Sequence, residues 1–306
     1  MRSALIKLHV AVFLWGFTGV LGRLITLNEG LLVWYRMLIT VIFLFGLIRL
    51  HNHSVKLPLK KILQLFGIGA IVATHWVFFY GSIKYSNVSI ALTCLSAAGL
   101  FTAFFEPIFF RKKISYVEVG LGLLGIAGIY LIFHFDPRYQ TGIIIGIIAC
   151  IMSVIFSILN KKLVADIPPR TMMLYELSGG FLVLTLVLPF YLQAFPPTHI
   201  IPTSSDWLWL LLLSLFCTVL AMDISLQALK YISVFTQNLT LNLEPVYGIV
   251  LAFIVYKENQ YLSDTFYLGF GMIFMAVVLQ GIRMYRKVKQ QKKRDAMVNT
   301  AARKPT

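Results

Sequence analysis

The sequence predicts an all-α membrane protein of ten transmembrane helices, arranged as two inverted five-helix repeats around a central cavity. The first observation is composition: 58% of the 306 residues are hydrophobic and 13% are charged, about half the charged fraction of a soluble chain. The second is a series of long apolar stretches, and the third is an internal repeat. Together they exclude a soluble enzyme, a disordered chain and a secreted disulfide scaffold.

Ten apolar stretches, numbered here as segments one to ten, each approach the ~20 residues that a spanning helix needs. They are too long and too uniformly apolar for the alternating pattern of a transmembrane β-barrel. The segments are Leu5–Ile25, Leu31–Leu50, Ile62–Ser82, Val88–Phe110, Tyr116–His134, Thr141–Leu159, Thr171–Gln193, Trp207–Leu229, Ser233–Val255 and Leu262–Met284.

The distribution of Lys and Arg predicts cytoplasmic termini, because cytoplasmic loops carry an excess of these residues. With the N-terminus inside, the outer loops contain only Lys84, Arg138 and Lys257, while Arg23 and Arg36 fall within segments one and two. All other Lys and Arg residues, of 27 in the chain, fall in cytoplasmic segments. The net charge of +15 is therefore explained by topology, and no nucleic-acid partner is expected. Short loops and this charge pattern favour the inner, cytoplasmic membrane of a bacterium.

The chain repeats itself at an offset of 146 positions, at which Lys84-Tyr85 aligns with Lys230-Tyr231. We therefore divide it into a first five-helix repeat (residues 1–137), a second (138–285) and a basic cytoplasmic tail (286–306). Because five is odd, the second repeat enters the membrane from the opposite face. Such inverted repeats are characteristic of secondary transporters.

Segment nine carries the strongest candidate site. A charge at the centre of a bilayer-spanning helix costs about 2.5–3.5 kcal/mol on insertion scales, so Glu244 requires a reason. Gln237, Thr240, Glu244 and Tyr247 are spaced three, four and three residues apart, which places them on one helical face. Pro245 has no backbone N–H, so a kink is expected beside the carboxylate.

This arrangement predicts a site for a cation, an amine or a proton. The alternative is that Glu244 hydrogen-bonds to a neighbouring helix and holds the bundle together. The repeat partners of the four residues are apolar, which predicts an asymmetric site with segment nine as its polar side and segment four as its smooth side. These partners are Ala91, Cys94, Ala98 and Phe101.

Segment eight adds Asp223 and Gln227, one helical turn apart. Asp223 either lines the inner half of the cavity or bonds a backbone amide or an interfacial Lys. Arg36 in segment two and Glu176 in segment seven correspond across the repeat. By inversion they lie near opposite faces, and we expect a structural role for Arg36.

Segment three adds His75, Trp76 and Tyr80. His75 is either a proton relay or a residue whose hydrogen bonds are satisfied within the bundle. Trp15, Trp76 and Tyr80 could form an aromatic wall for an apolar or cationic substrate. Gly122, Gly125 and Gly128 make segment five a candidate homodimer surface, although bundle packing is the plainer interpretation. The three cysteines have no metal-binding or disulfide spacing, so no metal and no cofactor are expected.

Several short motifs resemble recurring positions of EamA domains in the drug/metabolite transporter superfamily. They are Trp15-Gly16, Tyr35-Arg36, Ala228-Leu229-Lys230-Tyr231 and Glu244-Pro245. The resemblance extends from about Leu5 to Met284. This chain departs from the family pattern in two ways. In segment four, Ala98-Gly99 stands at the positions that correspond to Glu244-Pro245 in segment nine. After segments four and nine, the family's common Gly-Glu is replaced by Arg111-Lys112 and Lys257-Glu258.

The resemblance implies ten helices around a central cavity, and a family that carries amino acids, purines, sugars, drugs and other small metabolites, often outward. We therefore expect a secondary transporter, in the exporting direction, of small metabolites such as amino acids, working by alternating access in the lipid bilayer. A proton is a candidate coupling ion. By resemblance and by the position of the polar residues, segments one, three, four, six, eight and nine are expected to line the cavity.

The alternative functions are an intramembrane enzyme or a channel that uses the buried carboxylates. Against the enzyme, the sequence contains no HExxH, no GxSxG and no Gly-rich phosphate loop. Against the channel, it contains no rings of like charge.

Overall fold

A computed structural model describes residues 2–50, 56–111, 116–135, 137–163, 166–229, 240 and 243–301. Within these ranges the chain is helical and contains no strand. The helices are α1 (Arg2–Leu24), α2 (Glu29–Leu50), α3 (Leu59–Tyr85), α4 (Val88–Ser96), α5 (Ala98–Phe110), α6 (Tyr116–Phe135), α7 (Gln140–Leu163), α8 (Pro169–Ala194), α9 (Ser204–Ser214), α10 (Ala221–Leu229), α11 (Glu244–Tyr256) and α12 (Asp264–Ala301). A π-helical segment, Leu215–Leu220, joins α9 to α10, and short 3₁₀ turns lie at Pro137–Tyr139 and Glu258–Gln260.

The described helices make this a multi-pass membrane protein. Seven of its helical stretches are long and apolar enough to cross a membrane, by length and composition. Two further apolar helices, Gly120–His134 and Glu244–Tyr256, are shorter. Segment four is not among the seven because its helix is divided at Ala97 into α4 and α5. The first half of segment nine lies largely outside the described residues.

The helices α5 and α11 begin at positions that correspond in the internal repeat. Ala97 lies directly before α5, and Leu243, 146 positions later, lies directly before α11. These two helices also end alike, because Arg111 and Lys257, again 146 apart, each have φ of 52°. Residues other than glycine rarely adopt this left-handed conformation. The correspondence therefore extends from the sequence to the backbone.

Packing between the helices mainly joins the first half of the chain to the second. α1 packs against α9, α10 and α11, and α7 packs in the corresponding way against α3, α4 and α5. α2 packs against α9, whereas its counterpart α8 packs against α3. α6 packs along α12. Exchange of the two halves thus relates the contacts of α1 to those of α7, and the contact of α2 with α9 to that of α8 with α3.

Polar contacts assign the helix ends to two sides of the bundle. Thr26, after α1, bonds to Asp206 at the start of α9, and Glu258, after α11, bonds to the start of α4. We call this side the Glu258 end. At the opposite side, the Asp223 end, α1 meets α10 through Lys7 and Gln227.

The backbones of α3 and α8 approach each other closely at two glycines. A Cβ atom added to Gly69 would lie 1.8 Å from the carbonyl oxygen of Glu176, and one added to Gly180 would lie 2.4 Å from the carbonyl oxygen of Gly69. Both positions face main-chain atoms, which cannot move aside as a flexible side chain can. This helix pair therefore requires glycine at its contact point.

The same approach gives a matched test on one helix. We expect Gly69→Ala to lower stability by about 1–3 kcal/mol, because the methyl group forces the two backbones apart. Gly67→Ala is the control, since no atom lies within 4 Å of its added Cβ and alanine favours a helix by up to about 1 kcal/mol over glycine. Thermal unfolding of the purified protein in detergent measures both. Equal unfolding temperatures for the two variants would contradict the close packing.

Candidate substrate site

Arg36 lies at the centre of a polar cluster inside the bundle. Its side chain extends from α2, and the residue is 3% exposed. Nη1 donates to the hydroxyl of Tyr80 at 2.6 Å, while Nε and Nη2 donate to Thr218 Oγ1 at 3.1 Å and 2.9 Å. The guanidinium carbon lies 3.8 Å from the ring centroid of Trp76, in a cation–π contact. α3 and the π-helical segment therefore fix the position of this cation on α2.

The π-helical segment presents Thr218 to this cation. Thr218 also donates its hydroxyl to the carbonyl of Leu213, five residues earlier, at 3.0 Å. Ser214, at the end of α9, donates to the backbone carbonyl of Arg36 at 3.2 Å. π-Helical turns are rare and frequently occur at functional sites. Here the wider turn brings a hydroxyl acceptor to the Arg36 side chain.

Glu244 is the first residue of α11, and its side chain is half-buried. The amide of Leu243 bonds to the carbonyl of Thr240 at 3.0 Å, a turn that precedes the helix. Pro245 then occupies the first turn of α11, where its missing N–H has no consequence. The interruption expected at Pro245 thus coincides with the start of a helix, and Glu244 stands at its N-terminal end.

Glu244 and Arg36 interact at a distance. Glu244 lies within electrostatic range of Arg36, Tyr80 and Cys217. Among the described residues, the two form no ion pair within 4.0 Å, and none hydrogen-bonds to the Glu244 carboxylate. Two opposite charges therefore lie within electrostatic range of each other without forming an ion pair.

Of the three other residues in the predicted polar stripe on segment nine, the structure describes two. Thr240 is buried, and Tyr247 is half-buried with its ring 5.7 Å from that of Phe13. Gln237 lies outside the described residues. Trp15 is half-buried in α1 and belongs to the same apolar cluster as Tyr247 and Leu243. Segments one and nine thus meet beside Glu244.

His75 lies close to Arg36 but has a partner of its own. The residue is buried, and its Nδ1 is 2.8 Å from the carbonyl oxygen of Ala149 in α7. Its ring stacks on Phe79 and contacts Phe156. This is the bonding expected of a histidine satisfied within the bundle, and a relay role for His75 stays a prediction.

Asp223 and Gln227 lie elsewhere, at the Asp223 end. Arg170 Nε donates to Asp223 Oδ1 at 2.8 Å, and Arg170 Nη2 donates to Oδ2 at 2.6 Å. Gln227 donates to the same carboxylate at 3.1 Å and accepts from Lys7 at 2.9 Å. Because Arg170 and Asp223 pair in bidentate geometry, this network ties α1, α8 and α10 together. Of the two alternatives for Asp223, pairing with a basic residue matches this arrangement.

The repeat partners of the stripe lie in apolar surroundings. Cys94 is buried with its sulfur 3.8 Å from the carbonyl oxygen of Ile143 in α7. Phe101 lines an apolar cavity of about 290 Å³ between α5 and α6. The other residues lining this cavity are Ala97, Phe104, Phe105, Gly122, Ile126 and Ile129.

Sequence reasoning missed a buried carboxylate at the Glu258 end. Glu258 is 3% exposed and accepts from the amides of Val88 and Ser89 at 3.0 Å and 2.8 Å, and from the Ser89 hydroxyl at 2.6 Å. Arg23 of α1 also pairs with it. The carboxylate thus bonds the N-terminal turn of α4, where negative charge is favoured. A signal was present in the acidic residue directly after segment nine, but the partner lies 170 positions away.

Asp206 was missed for a similar reason. It is fully buried and forms a reciprocal capping box with Thr203 at the start of α9. It also accepts from the amide and hydroxyl of Thr26, at 2.7 Å and 2.8 Å. The local spacing of Thr203 and Asp206 could have revealed the cap, whereas the contact with Thr26 depends on the fold.

Comparison with known proteins identifies the family. Residues 2–134 and 140–281 each match the EamA-like transporter family, so two copies cover most of the chain. The chain belongs to the EamA-like transporter family. The resemblance found in its short motifs is thereby confirmed. The two matched ranges also agree with an internally duplicated protein.

Two relatives extend the comparison. This EamA-like chain is 23% identical over 297 residues to the uncharacterized transporter YxxF of Bacillus subtilis (strain 168), covering 93% of this chain and 91% of that protein. A solved crystal structure, 16% identical, superimposes with a TM-score of 0.64 and covers 94% of this chain and 99% of the other. The structure supports the fold alone. Family and relative together point to a membrane transporter rather than an enzyme.

The bonds made by Glu258 predict its contribution to stability. We expect Glu258→Ala to destabilise the protein by about 1–3 kcal/mol, because it leaves two buried amides and a hydroxyl without their acceptor. Asp166→Ala is the control, since this carboxylate is 63% exposed and pairs with Lys61 at 3.1 Å. Asp166→Ala should cost less than about 1 kcal/mol. Thermal unfolding in detergent compares the two variants. An unchanged unfolding temperature for Glu258→Ala would refute the capping role.

Proposed function

We propose that this EamA-like protein is a secondary transporter that exports small metabolites, such as amino acids or related compounds, by alternating access. The observation that carries the proposal is the family match over both halves of the chain. The substrate region lies around Glu244, the half-buried carboxylate at the start of α11. Glu244 binds either a proton or the positively charged group of the substrate.

The proposed architecture has ten transmembrane helices in two inverted repeats, residues 1–137 and 138–285, followed by a basic cytoplasmic tail (286–306). Three features support the repeat: the corresponding starts of α5 and α11, the left-handed residues Arg111 and Lys257 at their ends, and the matching contacts of α1 with α7 and of α2 with α8. The tail continues α12 as a helix to Ala301. Secondary transporters commonly bind substrate at interrupted helices near the midplane.

Alternating access requires closures on both sides of the substrate region. At the Glu258 end, Arg23 and Glu258 join α1 to the turn after α11 and to the start of α4. At the Asp223 end, Arg170 and Asp223 join α8 to α10. Both networks are polar and lie at helix ends. We propose that they are the outer and inner closures, respectively, with the Glu258 end facing outward.

Within this proposal the predicted site residues have distinct tasks. Glu244 carries the charge, while Thr240, Tyr247 and Gln237 make the polar face around it. Trp15, Trp76, Tyr80 and His75 form the opposing wall. Asp223 and Gln227 belong to the inner closure. The protein works in the lipid bilayer of a bacterial inner membrane, with a small molecule as its substrate and a proton as the candidate coupling ion; a homodimer through α6 stays a prediction.

Cysteine labelling tests the topology. We expect cysteines placed at Asn28 and Thr198, in the turns of the Glu258 end, to react with an impermeant thiol reagent added to intact cells. A cysteine at Asp166 should react only after the membrane is permeabilised. The three native cysteines are buried, so they can be kept. If intact cells are labelled at a cysteine that replaces Asp166 but not at one that replaces Thr198, the proposed orientation is refuted.

The central experiment replaces Glu244 by Gln. This change keeps the size of the side chain and removes its charge, so export should fall by at least about tenfold while membrane insertion and unfolding temperature stay near those of the original protein. The measurement is a survey of metabolites in the medium of cells that express the protein, the variant or neither. Asp166→Asn is the control for loss of a carboxylate at the surface.

Glu244→Ala separates this role from a packing role. If Glu244 only stabilises the bundle, Gln should be nearly silent, and Ala should lower export and unfolding temperature together. Normal export by Glu244→Gln over a range of pH would show that Glu244 carries neither a proton nor the charge of the substrate. A medium profile that does not depend on the protein would contradict the exporter itself.

A further inference from the structure

Two buried oxygen atoms near the Asp223 end have no hydrogen-bond partner among the described residues. They are Oδ1 of Asn160, near the end of α7, and Oε1 of Glu176, in α8. Glu176 is 3% exposed, and its other oxygen, Oε2, accepts from Asn160 Nδ2 at 3.3 Å. Buried polar atoms are almost always bonded, so two unpartnered oxygens on adjoining side chains require an explanation.

The Glu176 carboxyl group also forms no ion pair with a described basic residue. Its bond from Asn160 is longer than the usual range of about 2.7–3.2 Å for N–H···O. An ionised Glu176 would thus be a buried charge held by one long bond, which is costly inside a bilayer. The basic residues of the adjoining helices contact other groups: Arg36 of α2 contacts Tyr80, Lys61 of α3 Asp166, His75 of α3 Ala149, Lys162 of α7 Phe109, and Arg170 of α8 Asp223 of α10.

A single proton on Glu176 accounts for both unpartnered oxygens. A protonated carboxyl group has one O–H donor, whereas an ionised one only accepts. With the proton on Oε1, Glu176 donates to Asn160 Oδ1 while its Oε2 accepts from Asn160 Nδ2. The acid and the amide then share one hydrogen bond in each direction. A metal ion such as Ca²⁺ takes about six to eight oxygen ligands, whereas the described residues supply only these two buried, unpartnered oxygens.

The pair lies close to the Asp223 end and to the contact between α3 and α8. Asn160 is half-buried, three residues before α7 ends at Leu163. Arg170, which pairs with Asp223, precedes Glu176 by six residues on α8, about 9 Å along the helix axis. The backbone carbonyl of Glu176 faces Gly69 of α3. A change of charge at Glu176 therefore acts on the helix that carries Arg170.

We propose that Asn160 and Glu176 form a proton-binding site whose occupancy controls the closure at the Asp223 end. In the closed state, Glu176 Oε1 holds the proton and donates it in a hydrogen bond to Asn160. When this end opens and water reaches the carboxyl group, the O–H bond breaks, the proton passes to water and a solvated carboxylate is left. Because linkage is reciprocal, protonation favours closure and loss of the proton favours opening. The inference rests on the proposed inner closure and concerns a site separate from Glu244.

Infrared spectroscopy of the purified protein tests whether Glu176 carries a proton. The C=O stretching band of a protonated carboxyl group is separate from the bands of a carboxylate. At neutral pH we expect such a band that Glu176→Gln removes and Asn160→Leu shifts to higher frequency, whereas Asp166→Asn leaves it unchanged. Glu176→Gln keeps the pairing with Asn160, so its unfolding temperature should stay near that of the original protein. A spectrum that Glu176→Gln does not change would overturn the proton-binding site.

The rate of cysteine labelling tests the link to closure. Ala228 of α10 is fully buried against Leu8 of α1 at this end, so a cysteine there reacts when the end opens. Its rate is compared with and without Glu176→Gln from about pH 5 to pH 9, above the range in which an ordinary exposed carboxyl group titrates. The ratio of the two rates removes the pH dependence of the thiol itself. We expect the ratio to rise at least about fivefold towards alkaline pH, because Gln stays neutral. His9→Asn, which changes an exposed histidine of α1, is the control and should keep this rise.

The outcomes separate this inference from the transport proposal. A ratio of labelling rates that does not depend on pH would overturn the control of closure, even if the infrared band identifies a protonated Glu176. A medium profile that is identical with and without the protein would reject the transporter, while the infrared band and the labelling ratio would still decide the proton-binding site.

Discussion

The guanidinium of Arg36 governs the organisation of the bundle interior, because an ionised group inside a hydrocarbon layer must be compensated where it stands. The compensation comes from three other parts of the chain. α3 supplies the aromatic face and the phenol, the π-helical segment supplies the hydroxyl, and Ser214 holds the backbone of Arg36 itself. Each of these contacts fixes one helix relative to α2. The geometry of this polar cluster follows from solvating one cation with protein groups.

The remaining charges obey the same constraint with different solutions. Glu258 is compensated by amides and an arginine at one end of the bundle, and Asp223 by a bidentate arginine at the other. Both are held by strong local partners. Glu244 differs, since no described residue bonds to its carboxylate. A carboxylate that no described residue bonds is suited to a partner that arrives and departs.

Much of the fold could be predicted because a bilayer leaves few options. Segments as long as Ile62–Ser82 must be helices, and the observed α3 extends only a few residues beyond it. The division at Ala97 could not be read from composition, because no proline marks it, whereas Pro245 marked the equivalent place in segment nine. The partners of Arg36 could not be predicted, since a single arginine in a helix does not reveal which helices surround it. The partners of Arg36 lie 44 and 182 positions away, and only the packing brings them together.

The π-helical segment has a consequence for how the two halves of the chain are related. A π-turn accommodates one residue more than an α-turn, so the side chains beyond it are rotated by about 100° relative to an uninterrupted helix. α3, the counterpart of α9 and α10 in the first half, is α-helical throughout, from Leu59 to Tyr85. The same helix position in the two halves thus presents different faces to its neighbours past this point. An ancestral duplication can lose its symmetry in this way through the insertion of a single residue, with no change in the order or the number of its helices.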